Sequence, residues 1–146
     1  MCMFTIIGTD SNEDLGIYNT DLMVFKKVEE EVKEVKWLTH KNVWFLTDKH
    51  ESCSCGFRNV EAPNIEILGF GKPEEWSPED ENDIEATHQA YSVIKHLVES
   101  GYSVESVSAW ADSNPEIKEL SVNLKEIDIE KFRFFDGYLF KYDIKS

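Results

Sequence analysis

Cysteine, positive charge and long apolar runs are all scarce in this chain of 146 residues. Its three cysteines, Cys2, Cys53 and Cys55, cannot all pair with one another, and two of them stand one residue apart. That pattern does not read as a secreted disulfide framework, so reduced thiols in a reducing compartment are expected. No apolar run approaches the ~18 residues that span a bilayer. The opening residues, MCMFTIIGT, carry no basic segment ahead of a long apolar stretch, so no secretory signal is expected. A cytoplasmic protein with no membrane contact is the reading that follows.

Basic residues number 15 against 29 acidic ones, a net charge of −14. The imbalance is uneven. Residues 59–101 hold ten acids and only Lys72 and Lys95, so that stretch alone contributes −8 of the −14. Such a field repels DNA, RNA and anionic lipid, and it attracts cationic partners and speeds their arrival. Catalytic signatures are also missing. There is no G-x-S-x-G, P-loop, H-E-x-x-H or complete G-x-G-x-x-G, which leaves no motif-based case for an enzyme.

What is present supports a real core: 41% apolar residues, with nine Phe, five Tyr and four Trp, more aromatics than a disordered chain carries. The length fits one domain, residues 1–146. The clearest element runs from Ser77 to Gly101. Ser77 reads as an N-cap, Pro78 suits the first helical position, and Glu79 and Asp80 complement the macrodipole. Ile84, Tyr91, Ile94 and Val98, with Ala90 and Leu97 beside them, make one apolar stripe. Gly101 supplies a left-handed stop. A helix over about 78–100 is predicted.

Strands are predicted at 3–8, 42–47 and 65–70, and around Leu120, Val122 and Leu124, from β-branched and aromatic content. Residues 21–36 space Leu22, Phe25, Val28, Val32 and Val35 as a second helix would, although the run LMVF also suits a strand. At the C-terminal end KFRFF, Asp136-Gly137 and YLFKYDI read as a hairpin, with Tyr138, Phe140, Tyr142 and Ile144 sharing one face. A rival reading places a short helix at 128–134 and one strand after the turn. The predicted fold is α+β: a mainly antiparallel sheet of five or six strands packed against one long helix.

Three groups of residues could carry function. His50, Cys53 and Cys55, spaced H-x2-C-x-C, have the donor chemistry of a zinc site, with Cys2, His40 or His88 available as a fourth ligand. Plain thiols beside a β-loop explain the same residues. Met1 followed by Cys2 resembles the start of glutamine-amidotransferase-type N-terminal nucleophile hydrolases, in which a cysteine with a free α-amine is nucleophile and base together. That resemblance covers two residues, and no Asn-Gly oxyanion segment accompanies it.

The third group is the acidic run Glu74, Glu75, Glu79, Asp80, Glu81, Asp83 and Glu85, with Trp76 inside it. Some of these acids serve the helix start. The set Glu74, Glu75, Trp76, Glu79, Asp80 and Asp83 also makes a docking surface, where acids steer a basic partner and an aromatic anchors it. A small acidic module that masks a basic partner protein, as an inhibitor or immunity protein does with a nuclease toxin, is the expected function. A zinc-binding accessory domain or a thiol enzyme is the alternative.

Overall fold

The computed structural model describes residues 3–28, 38–51, 53–61, 64–71, 79–110 and 116–144. Six strands form one sheet: β1 (Met3–Thr9), β2 (Met23–Lys27), β3 (Asn42–Asp48), β5 (Val104–Trp110), β6 (Lys118–Asn123) and β8 (Tyr138–Asp143). Their order across the sheet is β2-β3-β1-β5-β8-β6. Every neighbouring pair is antiparallel except β6 with β8. The fold is α+β, as the sequence pattern predicts, and β1 lies inside the sheet between β3 and β5.

The long helix is α2 (Glu81–Glu99). At ~1.5 Å per residue it is a rod of roughly 28 Å. Its Ala86, Ala90, Tyr91, Val93, Ile94 and Leu97 are buried against Ile7, Trp44, Leu46, Phe140 and Tyr142 of the sheet, the face that the 3.6-residue spacing predicts. The start differs from the sequence reading. Asp80 is the N-cap, its Oδ1 accepting from Asn82 N at 2.7 Å, while Ser77 and Pro78 lie outside the described residues. The end agrees: Gly101 has φ +93°, its N–H bonds to Val98 O, and Tyr102 N–H bonds to Leu97 O. This is the paired closure that a left-handed residue permits.

Three sequence readings give way. Residues 23–27 are strand, because Met23 and Phe25 are buried in alternation with Val24 and Lys26 and the run pairs with β3; the part of the expected helix at 29–36 lies outside the described residues. Residues 65–68 form a one-turn helix, α1 (Ile65–Leu68), not a strand. Ile65 and Leu68 pack on the core while Ile67 is 68% exposed, which is helical spacing and not alternation. Finally, Asp136-Gly137 does not close a hairpin. Phe134 and Phe135 form β7, which pairs in parallel with β4 (Asn59–Val60) in a separate two-stranded ladder. The turn hands the chain from that ladder to the main sheet: Asp136 N–H bonds to Val60 O and Gly137 N–H to Ser108 O. The rival helix over 128–134 is not formed either; residues 129–131 are turn.

An aromatic cluster closes the space between sheet, ladder and helix. Phe132 is fully buried, with ring centroids of Phe134, Tyr91, Tyr142, Phe70 and Phe140 at 5.0, 5.5, 6.0, 6.1 and 6.2 Å. Tyr91 adds a polar tie, its hydroxyl 2.9 Å from both Leu124 O and Ile127 O. The opposite face of the sheet carries a smaller cluster of Ile6, Val43, Val107 and Leu139, with Val28, Leu38 and Ile117 packed on it.

Candidate functional site

The loop after β3 is folded around one side chain. Asp48 is 5% exposed. Its Oδ1 accepts from His50 N at 2.9 Å and its Oδ2 from Gly56 N at 2.9 Å, and its own N–H bonds to Cys53 O. Gly56 is needed for this approach, since a Cβ there would lie 2.5 Å from Asp48 Cβ. The loop thereby sets Asp48, Lys49 and His50 against the first turn of α2, which presents Asp80, Asn82 and Asp83. These residues line a recess of about 170 Å³.

Three carboxylates thus line one small concavity. Asp80 is committed in part to its capping bond, and Asp48 is held by backbone amides. Asp83 is pushed up above the ordinary aspartate range, first by burial and then by the like charges of Asp80, Asp48 and Glu79, with Lys49 opposing. Helix N-terminal amides offset part of that repulsion.

Glu79 lies one residue before the cap and does different work. It meets the only two arginines of the chain, both buried. Arg58 grips it with two prongs, Nε to Oε2 at 2.8 Å and Nη2 to Oε1 at 2.9 Å. Arg133 Nη2 reaches Oε1 at 2.8 Å. The remaining Arg58 donors go to Gly71 O, Glu130 O and Phe132 O, and Arg133 Nη1 to Gly69 O. Burial raises the Glu79 carboxyl's proton affinity, but hydrogen bonds and charge from Arg58 and Arg133 outweigh it, holding the group below the usual carboxylate range.

Of the docking residues expected from sequence, Asp80 and Asp83 share the recess, Glu79 is turned inward, and Glu74, Glu75 and Trp76 lie outside the described residues. Of the expected metal ligands, His50 lines the recess. Cys53 is buried with its thiol 4.0 Å from Asp48 Oδ2, whereas Cys55 is exposed and accepts Met3 N–H at 3.2 Å. Among the described residues no three His, Cys, Asp or Glu side chains stand together as a metal set, and Cys2 is outside them. The two thiols should therefore differ in reactivity. Iodoacetamide is expected to label Cys55 in the folded protein and Cys53 only after unfolding, read by peptide mass; equal labelling rates would contradict this placement.

Asp48, Lys49, Arg58 and Arg133 escaped the sequence reading. The arginines carried a signal: each stands beside phenylalanine, in GFRN and KFRFF, where an always-charged side chain needs a buried anion. Asp48 carried none, because the residues that share its recess, Asp80, Asn82 and Asp83, come from a distant helix. The chain matches no protein-family model, no curated protein and no solved structure.

Proposed function

We propose that this protein is a binding module for a cationic protein partner, docked at the recess of Asp48, Asp80 and Asp83. The observation that carries the reading is that Asp48, Asp80 and Asp83 line one small recess, and the state of Asp83 supports it. A partly buried carboxylate is kept beside the like charges of Asp80, Asp48 and Glu79, with Lys49 opposing, an arrangement expected to cost the isolated protein stability. A lysine or arginine of a partner inserted there turns the repulsion into attraction. Groups whose environment works against their charge cluster where a protein binds or reacts.

The net charge of −14 acts at longer range, raising the encounter rate with a basic surface. A basic groove that binds nucleic acid accepts such an acidic surface in place of phosphates. An inhibitor or immunity protein that masks a nuclease toxin is therefore the specific form of this proposal.

Asp83→Asn tests the cost. A carboxyl whose folded pKa is raised destabilises the fold while ionised, and that penalty disappears as pH falls below the raised value. The variant should be more stable than the parent at pH 7 by a few tenths of a kcal/mol, and equal to it in acid. A destabilised Asp83→Asn at neutral pH, by denaturant titration, would remove the support for this reading.

A further inference from the structure

One buried carboxylate plays no part in the acidic recess. Glu105, on central strand β5, is 2% exposed and lies on the sheet face away from α2, between Gly8 of β1 and Lys141 of β8. Gly8 lies under residues 38–40: a Cβ there would be in van der Waals contact with Leu38 Cδ1 at 3.4 Å and His40 Cβ at 3.5 Å. Residues 38–40 therefore cross close over the sheet and bring Thr39 and His40 to Glu105.

Among the described residues, the contacts found converge on one oxygen. Thr39 donates to Glu105 Oε1 from its N–H at 2.7 Å and from its hydroxyl at 2.9 Å, and His40 Nε2 lies 3.8 Å from the same atom. No hydrogen bond to Oε2 is found among the described residues. The cross-strand cation, Lys141, turns its Nζ to Glu119 at 3.7 Å. Buried carboxylates are ordinarily paired with a cation and hydrogen-bonded at both oxygens. Here the carboxylate instead lines a recess of about 130 Å³ together with Thr39, His40, Ser103 and Lys141.

Ser103 Oγ is 3.0 Å from His40 Nε2, which suggests a serine–histidine–acid relay. The geometry excludes it. Such a relay needs the serine on one ring nitrogen and the acid on the other, whereas Ser103 and Glu105 both approach Nε2. What the group offers is acceptors: Glu105 Oε2, and Ser103 Oγ when His40 Nε2 donates to it.

We propose that this recess binds a primary ammonium group, with Glu105 Oε2 as its counter-anion and Ser103 Oγ as a second acceptor. The small volume and the need for N–H donors select a primary ammonium over a quaternary one. The ammonium could belong to a free small amine or to a lysine side chain.

Amide NMR of the full chain at pH 7, titrated with methylammonium chloride and separately with Nα-acetyl-lysine methylamide, tests the proposal. Saturable shifts at Gly8, Thr39, Ser103 and Glu105 are expected, absent with tetramethylammonium chloride at matched ionic strength. Equal affinity for the two probes marks a free amine as the ligand, and tighter binding of the lysine derivative marks a side chain. Glu105→Gln should abolish the shifts. Ser103 is exposed, so Ser103→Ala should fold normally and weaken binding about tenfold, the loss of one hydrogen bond to a charged group. No saturable shift with either ammonium probe, or the same shifts with tetramethylammonium, would overturn the proposal.

Discussion

Glu79→Ala is expected to destabilise the protein by about 3–5 kcal/mol, because it strands two buried guanidinium groups without their anion. An exposed acid in the same helix turn, Glu81, should cost well under 1 kcal/mol when replaced. Equilibrium denaturation of the two variants side by side gives the comparison. The contrast matters because both residues look alike in the sequence, as acids at a helix start. Glu79 ties the entry of α2 to β4 through Arg58, to α1 through Arg133 and to residues 130–132 through the Arg58 carbonyl contacts. A pH dependence follows from its depressed carboxyl. Folded-state pKa below the unfolded value means that the contribution is complete above the ordinary glutamate range, about 4.3, and is lost as pH falls through the depressed value. The parent should therefore lose stability in acid more steeply than Glu79→Ala. Similar acid profiles, or a loss from Glu79→Ala no larger than that from Glu81→Ala, would show that the arginines are satisfied without it.

Phe132→Ala should cost a comparable amount, about 3–5 kcal/mol. The ring is fully buried and is shared by α2, β7, β8 and the residues after α1, so no single element can shift to refill the space. For a chain of this size the loss corresponds to a drop in Tm of the order of 10 °C, measured by calorimetry. Phe132→Leu keeps much of the volume and should recover more than half of it. A Phe132→Ala variant within about 1 kcal/mol of the parent would mean that the aromatic cluster is loosely packed.

The long helix was legible because every signal for it is local: periodic apolar residues and a glycine stop within one stretch. Its first residue was not, since Ser77 and Asp80 both read as good caps in sequence, and the tie of Glu79 to Arg58 and Arg133 just before Asp80 comes from distant stretches of the chain. The strands β1, β3 and β8 were legible from composition. Residues 65–68 are ambiguous in sequence because so short an apolar run carries too little periodicity to separate strand from one helical turn. Asp136-Gly137 has the turn chemistry of a hairpin, but the partner of Phe134 and Phe135 is β4, some 75 residues earlier in the chain. The candidate site was half visible. Asp80 and Asp83 announce themselves in an acidic run, whereas Asp48 joins them only through the loop built on Gly56.

The measurement that bears most directly on the proposed function is affinity capture from a native lysate on two columns, the parent protein and Asp80→Asn/Asp83→Asn. Each is washed at low and then at high salt, with quantitative mass spectrometry of the eluates. A basic protein held by the parent, released by salt and depleted at least several-fold on the variant column is the predicted result. A partner recovered equally from both columns, or retained through the high-salt wash, would contradict docking at Asp48, Asp80 and Asp83.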